Sequence, residues 1–215
     1  MSSSKNQPDF GLSDSYRLLA ACFYQPERDL FLEEQLCDNL ANLLEPFSKE
    51  ASDASRRMAE DLAGQSQDQL LLSYSDLFMS PFGVKAYPYG SIYLDKEPLL
   101  MGDSTIEAQK FYDEAGLKTD IECPSDHIAI ELEFMSLLEG RIAQAISESN
   151  QADLADFSDI RDRFFNKLFA SWAPILGNTL KEQATLAFYR DLGECLLGFI
   201  NSEQQRLQKA ALHAP

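Results

Sequence analysis

Residues 125–147 read SDHIAIELEFMSLLEGRIAQAIS. Ile128, Leu132, Met135, Leu138, Ile142 and Ile146 recur at three- and four-residue intervals, which puts them on one apolar stripe of a helix. The stripe covers about five turns. Pro124 stands just ahead of it, and Asp126 and His127 sit at its start, where a helix N-terminus is expected. A helix of this length with one apolar face needs other elements to cover it. No segment of the chain shows sustained period-2 alternation, so the covering elements are helices too, and the stretch predicts an all-α architecture.

Upstream, a connector at 117–123 follows Gly116, which is placed to end a helix that opens on a capping box, Ser104 with Glu107 three residues on. Residues 79–102 keep no helical period. Pro81, Gly83, Pro88, Gly90, Pro98 and Gly102 punctuate a long structured loop, and such loops inside compact domains are usually functional. Four amphipathic segments precede it. Ser13 caps a first helix carrying Tyr16, Leu19, Ala20 and Phe23, stopped by Pro26. A second, over 29–45, carries Leu32, Leu36, Leu40, Leu43 and Leu44. A third, over 50–63, carries Ala51, Met58 and Leu62 and closes at Gly64. Leu70, Leu71, Tyr74, Leu77 and Phe78 mark a fourth, ending before Pro81.

Downstream, Leu154, Phe157, Ile160, Phe164, Leu168 and Phe169 predict one helix, with Trp172 and Pro174 after it. Phe188, Leu192, Leu196, Phe199 and Ile200 predict the last. The expected organisation is one structural domain made of two helical halves, 9–116 and 124–212, joined by a hinge at 117–123. A hinge between mutually dependent halves predicts a monomer that can also form a minor domain-swapped dimer.

Composition narrows the function classes. The 215 residues carry a formal net charge of −17 and a pI near 4.4. A nucleic-acid partner would demand a basic face, so none is expected; a cationic partner suits the charge. With 45% hydrophobic residues the chain can bury a real core. No run approaches a membrane span, and residues 1–7 are polar with no apolar run behind them, so no secretory signal is expected. Cys22, Cys37, Cys123 and Cys195 lie far apart, without a C-x-x-C pair, and read as reduced thiols. His127 and His213 are far apart as well, which speaks against a zinc site. There is no P-loop glycine pattern and no Ca²⁺ ladder; no cofactor is expected.

Chemistry concentrates between Tyr87 and His127. Asp126 beside His127 suggests acid–base work. Adjacent helical residues point about 100° apart, however, and no nucleophile accompanies them. The competing role is capping or loop locking at the helix start. Tyr87, Tyr89 and Tyr93 either plug the loop onto the core or line a groove for an apolar peptide. A helical hydrolase or nucleotide-binding protein using Asp126 and His127 is the alternative reading.

The same residues carry a family resemblance. Tyr74-Ser75-Asp76-Leu77-Phe78 followed by Pro81 resembles the Y-x-x-L-F-x-x-P entry of the TorD/DmsD/NarJ family of redox-enzyme maturation chaperones. Tyr89 to Asp95 and Leu100 to Thr105 resemble its DmsD-like members. Pro124-Ser125-Asp126-His127-Ile128 with Glu131 to Met135 is similar to the family's E-P-x-D-H-x hinge motif and the helix after it, and Phe188-Tyr189-Arg190 to its F-Y-R helix. Cys123 stands where the family usually has Glu, and Leu168 where many relatives have His.

The resemblance implies a cytoplasmic, non-enzymatic chaperone with the TorD-like helical fold. Such a protein binds the twin-arginine signal peptide of a molybdenum-cofactor oxidoreductase precursor. The peptide-binding set it implies is Tyr74, Phe78, Tyr87, Tyr89, Gly90, Ser91, Tyr93, Asp95, Gly102, Pro124, Ser125, Asp126, His127 and Glu131. Guanidinium groups beside an apolar run call for carboxylates next to aromatics. Asp126, Glu131 and Asp95 are expected to supply the first, and Tyr89, Tyr93 and Phe78 the second. Some relatives have been proposed to bind guanine nucleotides, but no phosphate-binding pattern accompanies that here.

Overall fold

The computed structural model describes residues 9–97, 100–117 and 124–212. In chain order its helices are α1 (Gly11–Ala21), α2 (Arg28–Glu33), α3 (Leu36–Leu44), α4 (Lys49–Gly64), α5 (Gln67–Phe78), α6 (Ser91–Leu94) and α7 (Asp103–Glu114). After them come α8 (Ile128–Glu148), α9 (Gln151–Phe164), a π-helical turn (Phe165–Phe169), α10 (Ala170–Gln183) and α11 (Ala187–Leu212). Among the described residues there is no strand, only an isolated antiparallel bridge between Tyr89 and His127. The all-α expectation holds.

The two ends of the chain pack through each other. Helix α1 lies against α8, where the Ser13 hydroxyl donates to the Ser136 carbonyl at 2.8 Å. Helix α4 lies against α11, joined by Ser48 Oγ to the Gly198 carbonyl at 3.0 Å and Arg57 to Asp191 at 2.7 Å. Tyr16, Phe164, Phe165, Phe169, Trp172, Phe188, Tyr189 and Phe199 are fully buried and form one core with the aliphatic stripes. Cys22, Cys37 and Cys195 are free thiols buried in it, where they pack as small hydrophobes. Cys123, Pro98, His213, residues 1–7 and most of the expected hinge lie outside the described residues.

Several local expectations are corrected. The second helix is two, because Gln35 adopts a left-handed backbone (φ 48°) between α2 and α3. The break turns the helix so that Phe31 is buried and Leu32 is not. Ser13 does not cap α1; Phe10 holds that position and Ser13 bonds across to α8. The capping box at Ser104 does not form either. Gly102 precedes α7, Glu107 pairs with Lys110 and Lys167, and Asp95 accepts from the Ser104 N–H instead. The loop at 79–102 contains the short α6. Ile146, expected on the α8 stripe, is 58% exposed.

Trp172 and Pro174 do not follow a helix but belong to one. Ile160, Phe164, Leu168, Trp172, Leu176 and Leu180 are buried at a strict interval of four. On a plain α-helix each such step drifts by about 40°. The π-turn at Phe165–Phe169, wider than an α-turn, absorbs that drift and returns Trp172 to the core side.

Helices α10 and α11 cross at glycines. A Cβ on Gly193 would meet the Gly177 carbonyl at 2.5 Å and Leu180 Cβ at 2.9 Å. Gly193→Ala must therefore push the helices apart, and a stability loss of about 1–3 kcal/mol is expected. Thermal unfolding checks it; a melting temperature equal to wild type would show that the crossing yields at no cost.

Candidate functional site

The long loop is laced to the start of α8 by its backbone. Pro88 accepts from the Ile128 N–H at 2.9 Å, and the Gly90 N–H donates to the Asp126 carbonyl at 2.9 Å. Asp126 Oδ2 then accepts from the Ser91 N–H at 2.7 Å, at the first residue of α6. Upstream, the Lys85 and Ala86 N–H groups donate to the Leu77 carbonyl, which ties the loop to the end of α5. Asp126 is 0% exposed, and its other oxygen and the Ser91 hydroxyl are buried without partners among the described residues.

His127, not Asp126, caps α8. Its Nδ1 accepts from the Ala129 N–H at 3.2 Å, and an accepting Nδ1 leaves the ring proton on Nε2. Burial pulls the imidazole pKa down to about 4, against the Asp126 charge that favours the cation. The ring is neutral at neutral pH, which removes the proton-carrier role weighed above, and Asp126 is committed to backbone. Capping and loop locking are what the geometry supports.

Trp172 is the post on which the loop rests. Its Nε1–H donates to Glu131 Oε2 at 2.9 Å, and Tyr93 stacks on it with centroids 5.6 Å apart and planes 15° apart. Gly90 lies so close that a Cβ would stand 2.9 Å from Trp172 Nε1. The Tyr93 hydroxyl reaches back to the Tyr87 carbonyl at 2.9 Å. Glu131 is 1% exposed, and burial drives its carboxyl well above the usual range; the Trp172 hydrogen bond opposes this and the Asp126 charge adds to it.

This corrects the expectation that Asp126 and Glu131 offer open carboxylates: both are buried and bonded. Asp95 is half-buried and holds the start of α7 through Ser104, next to Gly102. Ser125 donates to Gln109 and accepts at its carbonyl from the Tyr112 hydroxyl, with half-buried Pro124 beside it. Tyr74 and Phe78 join a different aromatic cluster, with Phe78 edge-on to Tyr189 at 6.0 Å.

What does face solvent here is an aromatic shelf. Tyr24, 37% exposed, stacks on His127 with centroids 6.2 Å apart, and half-buried Tyr89 meets the same ring edge-on at 5.2 Å. The Tyr24 hydroxyl donates to Glu133 Oε1 at 3.0 Å, which sets an exposed carboxylate at the shelf's edge. Sequence reading missed Tyr24, Glu133 and Trp172. Tyr24 falls one residue past the α1 stripe and Glu133 faces away from the α8 stripe. Trp172, the single tryptophan of the chain, was the legible signal.

A family model described as the nitrate reductase delta subunit matches residues 33–177. The chain belongs to this family, the TorD/NarJ family. Among curated relatives, the chaperone protein TorD of Aliivibrio fischeri is 30% identical over 168 residues, covering 75% of this chain and 76% of that one. TorD of Photobacterium profundum is 28% identical over 158 residues, 72% of each. TorD of Aliivibrio salmonicida is 28% identical over 136 residues, and there the match spans 62% of the relative's length, under two thirds. Each of the three is named a chaperone, not an enzyme. A crystal structure of a protein from Archaeoglobus fulgidus, assigned as a redox enzyme maturation protein, superposes with a TM-score of 0.56. It covers 88% of this chain and 93% of that one at 21% identity, a likeness of fold. Within this TorD/NarJ-family chain, no group of three or more His, Cys, Asp or Glu able to hold a metal occurs among the described residues. No described helix is long and apolar enough to cross a membrane.

Proposed function

We propose that this chain is a chaperone of molybdoenzyme maturation that acts in the cytoplasm. It binds the twin-arginine signal peptide of its client's precursor and supports cofactor insertion before export. The observation that carries the reading is the shelf of Tyr24, His127 and Tyr89 with Glu133 at its rim. A guanidinium stacks on an aromatic face and bonds a carboxylate at its edge in one pose, and the acidic surface steers a basic peptide toward it. Asp126, Glu131 and Trp172 act one layer down, holding the loop that presents Tyr89.

Calorimetry with a twin-arginine signal peptide tests it. Tyr24→Ala and Glu133→Gln are each expected to weaken binding roughly tenfold, the scale of one lost charge-assisted contact. Lysines in place of the peptide arginines should cost a similar factor, because the planar fork is lost, and added salt should weaken what remains. Unchanged affinity in both protein variants would remove the shelf from the site. Asp126→Asn and His127→Ala should weaken binding through the loop they hold.

A further inference from the structure

A second concave site lies at the opposite end of the α1–α8 pair from the shelf, about the length of α1 away, roughly 15 Å. It is a cavity of about 350 Å³ walled by Leu12, Phe47, Ile142 and Ile146, with Glu139 and Arg206 at its floor and Asp9 at its edge. Glu139 is 6% exposed. Arg161 and Arg206 both bond its Oε1, at 3.3 and 2.5 Å. Among the described residues no hydrogen bond reaches its Oε2, so one oxygen of this largely buried carboxylate keeps its acceptor capacity unused.

We propose that this cavity takes a lysine or arginine side chain of a polypeptide partner, its cationic head on Glu139 Oε2 and its aliphatic stem between Leu12, Phe47, Ile142 and Ile146. Charge favours a cation. Of the charged residues that line the cavity, Asp9 and Glu139 are carboxylates and Arg206 is the one guanidinium, a formal surplus of one negative charge. Arg206 keeps only its Nη1 unengaged, and its charge is already offset by Glu203 and Glu139, which its Nε and Nη2 bond. A wholly apolar occupant would seal Oε2 from water with no donor, which is unfavourable. A basic side chain satisfies both halves of the lining, stem on apolar wall and head on oxygen. Ile146, 58% exposed at the mouth, offers apolar cover to a flanking residue of the same partner.

The test is amide-resolved NMR titration of the full chain with acetyl-Leu-Arg-Leu-amide and its Lys, Gln and Glu counterparts. Ser13, Ala143, Ile146 and Ser147 should shift saturably with the Arg and Lys peptides. Binding should be roughly tenfold weaker with Gln and absent with Glu. Ile146→Lys, a change at an exposed position that leaves the core alone, should repel the cation and cost at least about tenfold. Asp9→Asn should weaken binding in the same direction. Equal binding of the Gln peptide, preference for the Glu peptide, or indifference to Ile146→Lys would each overturn the proposal. None of the reporting residues belongs to the shelf, so failure here leaves the signal-peptide reading standing.

Discussion

Trp172→Ala is expected to cost about 3–5 kcal/mol of folding stability, the range for emptying a fully buried large aromatic site. The indole touches four things at once: the Gly90 backbone, the Tyr93 ring, the Glu131 carboxyl and the α10 side of the core. Truncation opens a cavity under the loop and leaves Glu131 Oε2 buried without its donor. Trp172→Phe separates the two effects, since it keeps most of the packing and removes only the N–H, at about 1–3 kcal/mol. Glu131→Gln keeps an acceptor for Nε1 without an ionisable group and should be the mildest of the three. Urea unfolding ranks the variants, and hydrogen exchange at the Gly90 and Ser91 amides reports whether the loop opens first. An Ala variant within about 1 kcal/mol of wild type would mean that the loop is held by its α8 lacing alone.

How much of this was legible in the sequence follows from how far apart the partners lie. The α8 stripe from Ile128 to Ile142 and the helix stop at Gly116 rest on neighbours within a few residues, and both stand. At Gly116 the chain turns with φ 79°, and its N–H returns to the Asp113 carbonyl. Ser104 with Glu107 satisfied every local rule for a capping box and lost to Asp95, nine residues upstream and brought in by α6. Nothing local marks Gln35 as the break between α2 and α3. Asp126 and Glu131 read correctly as special residues at a helix start. Their burial did not, because it depends on Ser91 and Trp172, 35 and 41 positions away. Polar residues near a helix end and an aromatic-rich loop identify a place; whether their charges face a ligand or the core is decided by tertiary contacts.

The same burial makes His127 an acid-labile joint. Its folded pKa of about 4 lies below the ordinary 6.5 of an unfolded histidine. The unfolded chain therefore binds a proton first as pH falls, so His127's contribution is fully present above pH 6.5 and drains away down to about pH 4. The shift amounts to roughly 3 kcal/mol over that window. Glu131 acts with the opposite sign. Its carboxyl is raised above 4.5, so its share of stability is complete below that value and declines as pH rises toward its folded pKa. The two trends overlap, and the wild-type profile alone does not separate them. His127→Asn does, because Asn also caps a helix but does not titrate. The difference in unfolding free energy between wild type and His127→Asn should change by roughly 3 kcal/mol between pH 7 and pH 4, against wild type at the acid end. A flat difference would mean that the imidazole reaches water in the folded chain. If the trend appears, the shelf of the folded chain should fail only as pH nears the folded value of about 4. A protonated His127 cannot accept from Ala129, and the ring that Tyr24 and Tyr89 pack against then loses its anchor.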